Sequence, residues 1–396
     1  MTEDRQVVIA GVSTRAAAES AALAGYRVKA IDAFGDLDQH TGVRSISLGR
    51  GFSARAAART AAGTPGDVFV YLANFENHPK AVAALAAAGT LWGNPAEVVQ
   101  RVRHPVLVAE ALRRRGFRVP EVRLEDSADN GDTSDSNRRW LIKPRASGGG
   151  QRIQFWTPDT AVPPRCYLQE FIDGTVGSVV FVAADGRVAL LGVSRQLVGE
   201  QSFGAEGFQY CGNILGPAGD AQSVTSDVEL VREARRLAEA IADEFHLVGV
   251  NGIDFIAREK ALFVVEVNPR WCASMELVER AYGVSVFSAH AAACESQALP
   301  AFDLAHARRD AGAFGRAVVY ARRDITVGDT RAWLADSRQI RDVPHPGERI
   351  SRGRPVCTVF AGGRDAAAVH RQLAAQADCV YGQLEAWDRS LRNQVG

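Results

Sequence analysis

Two carboxylates and an amide stand at spacings that suit a divalent cation. They lie in Asn251-Gly252-Ile253-Asp254-Phe255-Ile256 and, past the polar stretch Arg258-Glu259-Lys260-Ala261, in Leu262-Phe263-Val264-Val265-Glu266-Val267-Asn268-Pro269-Arg270. Two β-runs flanking a polar turn predict a hairpin. A turn centred near Lys260 sets Asp254 opposite Glu266 and Gly252 opposite Asn268. Side chains two apart share a face. Asp254, Glu266 and Asn268 then project together, with Ile253, Phe255, Phe263, Val265 and Val267 turned to the core. Directly opposed carboxylates repel, and a cation between them removes that penalty. Hard oxygen donors without His or Cys suit Mg²⁺ or Mn²⁺. Arg270, just past the pair, can hold a phosphate or carboxylate in a fork. The competing reading is an edge hairpin whose acids face water.

A second segment reads Trp140-Leu141-Ile142-Lys143-Pro144-Arg145-Ala146-Ser147-Gly148-Gly149-Gly150. A strand delivers Lys143, and three consecutive glycines let backbone N–H groups close over an anion, typically phosphate. It is not a Walker loop, because the lysine precedes the glycines. Read alone, it is equally a flexible hairpin tip. A third segment, Tyr167-Leu168-Gln169-Glu170-Phe171-Ile172-Asp173-Gly174, can present backbone groups and a carboxylate to adenine. Read alone, it is better described as a strand ending in an Asp-Gly turn.

Other residues carry weaker signals. Cys272 lies two residues past Arg270, and nothing nearby in sequence would lower its pKa, so it reads as a passive lining residue. His290 on an Ala-rich helix reads as a surface or satisfied core histidine. Arg195 and Gln196 follow a strand and are within reach of a substrate. Asn74-Phe75-Glu76-Asn77 follows the third strand, where open α/β sheets bind ligands; a plain turn fits equally. None of the six cysteines forms a Cys-x-x-Cys pair, so zinc-ribbon and thioredoxin-like readings lose their support.

These segments need elements to position them. Val7–Ala10, Arg27–Ile31, Asp67–Leu72 and Thr90–Trp92 read as strands. They alternate with helices over Ala16–Leu23, capped by Ser13-Thr14 and stopped by Gly25, and over Ala81–Ala88. That alternation means an open parallel sheet. The first turn, Gly11-Val12-Ser13-Thr14-Arg15-Ala16, lacks the second and third glycines of a dinucleotide fingerprint. Asp32 as a ribose-binding acid is therefore disfavoured against a plain βαβ unit. A helix follows at 104–118, then a polar insert at 127–137, then short strands at 140–143, 152–156, 166–171, 178–183 and 188–193. Helices at about 226–245 and 284–297 bracket the hairpin, and a mixed strand and helix region begins at Pro300.

The 396 residues carry 46 Lys and Arg against 46 Asp and Glu, so no global basic field exists for nucleic acid or an anionic membrane. No apolar run reaches the roughly 18 residues of a membrane helix, and the polar start, Met1-Thr2-Glu3-Asp4-Arg5, is unlike a secretory signal. The expectation is a cytoplasmic protein.

The three segments, in this order and with these gaps, resemble the ATP-grasp superfamily. Phe208-Gln209-Tyr210-Cys211-Gly212-Asn213-Ile214 and the stretch from Leu247 to Arg270 resemble its branch of predicted ATP-dependent carboligases related to biotin carboxylase. The resemblance implies an α/β fold with an α+β core. It comprises an N-terminal open parallel domain (1–95), a two-lobed ATP-grasp domain (96–300, lobes about 96–168 and 169–300), and a small β-rich C-terminal domain (301–396) that closes the cleft. It implies that Lys143 contacts the phosphates of ATP and that Ser147, Gly148, Gly149 and Gly150 form the lid over them. Glu170 and the backbone of Phe171 and Ile172 hold adenine, and Gln169 belongs to the same cofactor-binding set; where the ribose acid is often found this chain reads Thr175-Val176-Gly177-Ser178, so either Asp173 replaces it or the ribose is held weakly. Asp254, Glu266 and Asn268 hold one or two Mg²⁺ ions, and Arg270 faces the phosphoryl group or acid substrate. The activity implied is amide formation from a carboxylate and an amine through an acylphosphate, with release of ADP and phosphate. Some relatives in the superfamily join glutamate to small amines, including in the making of methanofuran-type coenzymes. A carboxylase, a phosphotransferase and a nucleotide sensor remain as alternatives, and a homodimer as a possible assembly.

Overall fold

The computed structural model describes residues 5–124, 138–218, 220, 227–336 and 339–395. The polar insert at 127–137 lies outside them.

The N-terminal strands form a five-stranded parallel sheet in the order Val43–Ser47, Arg27–Asp32, Gln6–Ala10, Val68–Tyr71, Thr90–Trp92. The middle strand is fully buried at Val7, Val8, Ile9 and Ala10, which is why it reads as a continuous apolar run. The edge strand Val43–Ser47 is mostly exposed and carries no such run, so it escapes a reading by hydrophobicity. The first helix spans Arg15–Leu23, but Thr14 does not cap it with its side chain. Its hydroxyl donates instead to Asp32 Oδ2 at 2.8 Å. Asp32 is fully buried and also accepts from the backbone N–H groups of Thr14, Phe34 and Gly35. It ties the loops at the sheet's carboxyl end together, in keeping with a plain βαβ unit.

Beyond this sheet, Val122–Leu124, Cys166–Glu170, Trp140–Pro144 and Gln154–Phe155 form a four-stranded antiparallel sheet. It carries Lys143 and the Gln169-Glu170 segment on adjacent strands.

The third sheet has eight antiparallel strands, ordered Ala261–Asn268, Gly249–Arg258, Thr175–Ala184, Arg187–Val198, Tyr210–Leu215, Ala313–Tyr320, Pro355–Gly363, Ile340–Arg341. It therefore runs without interruption from the hairpin into the C-terminal region. That region also contributes a helix of thirty residues, Ala366–Val395. Val369, Leu373, Ala377 and Val380 of this helix pack in one core with Ala317, Val319 and Val359 of the sheet. Val228–Phe245, capped by Asp227, covers the sheet's other core with Leu237, Ile241 and Phe245 against Phe181, Phe255 and Val264. No helix among the described residues is long and apolar enough to cross a membrane.

Candidate active site

The hairpin has the expected register. Asp254 pairs with Glu266 and Gly252 with Asn268, around a two-residue turn at Glu259 and Lys260 that both adopt positive φ. The register shifts between Asp254 and Phe255, which marks a bulge. The bulge corrects the expected faces. Leu262, Val264 and Val267 enter the core, whereas Val265 lines the cavity beside Glu266. Phe263 lies under the guanidinium groups of Arg118 and Arg258 rather than in that core. An extra residue reverses the alternation, and nothing in an apolar Val-Val pair announces where it falls.

The two carboxylates differ in what compensates them. Burial alone would raise the Glu266 pKa, but Arg103, Lys143 and Arg270 bring it below the usual carboxylate value. Arg103 makes a direct ion pair with Glu266 and donates to Val267 O at 3.0 Å. Asp254 has amides instead: Gln196 Nε2 donates at 2.6 Å and Asn268 Nδ2 at 2.9 Å. Burial and the facing Glu266 push it up to about 7. The protein thus leaves Asp254's charge without a direct cationic partner. Among the described residues no cluster of three or more His, Cys, Asp or Glu side chains is gathered to hold a metal. The donor set is two carboxylates and an amide oxygen, which fits a hard cation such as Mg²⁺.

Lys143 is buried, and its Nζ donates to Gln169 Oε1 at 3.0 Å. Gln169 therefore orients the lysine through its Oε1. Glu170 accepts from the backbone N–H of Glu121 at 3.1 Å. The Phe171 N–H donates to Arg139 O at 2.8 Å. The Phe171 ring instead joins Phe155 and Phe208 in an edge-packed trio, with the Arg139 guanidinium over it at 4.2 Å. Ile172 and the exposed Asp173 both line the cavity.

Gly148, Gly149 and Gly150 reach over this cavity. Gly149 O accepts from Tyr210 N–H at 3.0 Å, and a Cβ on Gly150 would lie 1.7 Å from Phe208 O. The loop is seated directly on the Phe208–Tyr210 backbone, a close approach that only glycine permits. Ser147 lies behind it: its carbonyl accepts from Asn77 and Arg103, and it lines a smaller neighbouring cavity.

Arg270 departs most from expectation. Its Nη2 donates to Glu76 Oε1 at 2.6 Å and to Asn268 Oδ1 at 3.2 Å, while Nη1 donates to Trp271 O at 2.9 Å. Protein groups occupy the fork that was expected to face a substrate. Glu76, from the Asn74–Asn77 segment, is 2 % exposed. Beside Arg270, the Cys272 thiol is pushed up to about 12, chiefly by burial, so it is an inert lining group. Buried His290 accepts from Val250 N–H, and burial lowers its pKa to about 4, as suits a satisfied core histidine.

Lys143, the glycine loop, Asp254, Glu266, Asn268 and Arg270 line one cavity of about 630 Å³. Residues 105–274 match the family model of the ATP-grasp domain. These residues form an ATP-grasp domain. The chain is also 18% identical over 280 residues to an uncharacterized protein of Methanocaldococcus jannaschii, across 68% of this chain and 63% of that protein. The match thus spans less than two thirds of that curated relative's length. Two solved structures share the fold. One is N5-carboxyaminoimidazole synthetase from Staphylococcus aureus complexed with ADP, with a TM-score of 0.69 and 15% identity, covering 95% of this chain and 98% of that one. The other is the L-amino acid ligase from Bacillus licheniformis, with a TM-score of 0.68 and 14% identity, covering 96% and 98%. Lys143, the glycine loop and the acidic hairpin of this ATP-grasp domain all line the one cavity.

Three partners of this ATP-grasp site were not legible in the sequence. Arg103 ends a short helix 163 positions from Glu266. Glu76 lies in a segment that suits a ligand and a plain turn equally, and Phe208 in one that carries only the family resemblance. Arg15, fully buried, donates both to Glu276 and to Asp342 and so joins all three regions of the chain. Each of these residues is defined by a partner distant in sequence.

Proposed function

We propose that the protein is an ATP-dependent carboxylate–amine ligase. A carboxylate oxygen of one substrate attacks the γ-phosphorus of ATP, and ADP leaves. The nitrogen of a second substrate then attacks the acyl carbon of the acylphosphate, and phosphate leaves with the formation of an amide. Lys143 and the backbone N–H groups of the glycine loop meet the phosphates. Asp254, Glu266 and Asn268 would hold Mg²⁺, which supplies charge neutralisation during phosphoryl transfer. Arg270 is a positioning residue that fixes Asn268 and is itself held by Glu76.

One observation carries this reading. The cavity lined by Lys143, the glycine loop and the acidic hairpin is lined as well by Cys272, Phe34, Asp36, Asp342 and Thr358. Nucleotide-binding groups joined in one cavity to a further polar set suit a reaction that assembles two small substrates beside ATP. A seated lid suits an acylphosphate, which must be kept from water.

The test is to supply Mg-ATP with pooled carboxylic acids, glutamate among them, and pooled amines and amino acids. ADP and phosphate should form only when both pools are present, and should vanish in Glu266→Gln. ADP formation with acids alone would indicate a phosphotransferase, and dependence on bicarbonate a carboxylase. AMP with pyrophosphate would refute the mechanism. Tight nucleotide binding without turnover would favour a sensor.

A further inference from the structure

The cavity also meets a dense group of buried charges. Arg15 donates to Asp342 at 2.6 Å, to both oxygens of Glu276 at 2.8 Å and to Glu19 at 3.0 Å. Arg341 pairs with Glu19 and Asp38, and Arg316 lies 3.6 Å from Glu276 and 3.8 Å from Asp342. One acid is left out of these pairings. Asp36 is 8 % exposed and lines the cavity, and its Oδ2 has no hydrogen-bond partner; burial and the neighbouring Asp342, Asp32 and Asp38 raise its pKa well above the usual carboxylate value. A buried carboxylate without a partner is costly, and native structures leave few of them. Phe34 and Pro344 line the cavity beside Asp36 and Asp342, so the acids stand at the end of a partly apolar wall.

This group makes a hydrogen-bond set of its own. Asp254, Glu266 and Arg270 bond to Gln196, Asn268, Arg103 and Glu76. Asp36 and Asp342 belong to the Arg15 group, and no hydrogen bond or ion pair among the described residues links the two sets. The nitrogen that attacks an acyl carbon must also be neutral, whereas an unpaired buried carboxylate favours a charged partner.

We propose that Asp36, with Asp342 beside it, docks a cationic group of the amine substrate, one distinct from the nitrogen that reacts. The substrate class is then a diamine or a basic amino acid: an apolar stem with a positive centre at its far end. This deepens the ligase reading and rests on it for the word substrate; the docking site itself is tested without turnover.

The experiment compares lysine with norleucine and putrescine with butylamine, using wild type, Asp36→Asn and Asp36→Ala. Both substitutions remove an unpaired buried acid, so each variant is expected to melt cooperatively at or above the wild-type temperature. Amide formation is read by mass spectrometry, and binding of lysine and putrescine by calorimetry without ATP. The wild type is expected to favour the cationic member of a pair by about tenfold or more in kcat/KM, as for one buried charge-assisted contact. That ratio should fall toward one in both variants, with loss of calorimetric binding. If no amide forms in any mixture but a cationic probe binds wild type and not the variants, the docking site stands and the ligase reading falls. If neutral amines serve as well as cationic ones, or the substitutions leave probe binding unchanged, or neither probe binds, the docking proposal is overturned while the ligase reading is judged on its own products.

Discussion

Arg270 and Glu76 form a buried ion pair, 2.6 Å from Nη2 to Oε1, that joins the end of the acidic hairpin to the loop after the fourth parallel strand. Their side chains are 12 % and 2 % exposed. Removing one partner from such a pair leaves the other charge buried and uncompensated. Glu76→Gln should therefore lower the unfolding free energy by about 3–5 kcal/mol in urea titrations. Adding Arg270→Met should recover part of that loss. Equal stability of wild type and Glu76→Gln would show that the pair is not sealed from water.

The glycine loop offers a contrast between neighbours. Gly150 has φ of +73° and no room for a Cβ, whereas Gly148 has nothing within 4 Å of that position. Gly150→Ala should unseat the lid and raise the KM for ATP by about tenfold or more, the effect of a small displacement at a positioned site. Gly148→Ala should change it less than about threefold, within the range of ordinary surface replacements. Steady-state ADP release at varied ATP measures both.

The opposed acids predict opposite effects on stability and activity. Asp254→Asn relieves burial of a carboxylate facing Glu266, so the metal-free variant should melt at a higher temperature than wild type. The same change should cut Mg-dependent ADP formation by about 10²–10³, the range for losing a preorganised charge contact. Chelation of Mg²⁺ should silence the wild type, and added Mg²⁺ should restore it. A variant with full activity would remove Asp254 from the cation site.

Glu279 supplies a pH dependence away from the cavity machinery. Burial pushes it up to about 7, although Ser20 Oγ and the Val286 N–H both donate to it. Its unfolded value is about 4.3. Between these values the unfolded chain has released the proton that the folded chain still holds, so stability falls as pH rises through that window and levels off above about 7. Glu279→Gln should flatten that slope. It should be more stable than wild type at pH 8 by on the order of 2–4 kcal/mol, and close to it at pH 4. Thermal melts across this range decide it.

What the sequence revealed and what it hid follow from the range of the interactions. Asp254 opposite Glu266 was legible because a hairpin is local: a short polar turn fixes the register of both strands. The buried parallel strands were legible because Val7–Ala10 and Val68–Tyr71 are apolar throughout. The bulge at Val265 was not legible, since either valine of the pair satisfies the pattern. The commitments of Arg103, Arg270 and Arg15 were hidden for a different reason. An arginine's partner is chosen by tertiary geometry, and the sequence near it carries no trace of a carboxylate 163 or 261 positions away. The helix Ala366–Val395 is locally plain, but its place against the Ala313–Tyr320 strand depends on how the sheet continues.

That continuity makes the eight-stranded sheet a ruler. Its first two strands carry the acids of the hairpin, and its far strands carry Arg316 and Thr358 at the other end of the cavity. The span between them is set by strands lying roughly 4.8 Å apart, a spacing that backbone hydrogen bonding does not let vary. Under the proposed ligase reaction, a longer or shorter pair of substrates cannot be accommodated by sliding one end against the other. It must be met by exchanging side chains on the far strands, which leaves the acidic hairpin untouched.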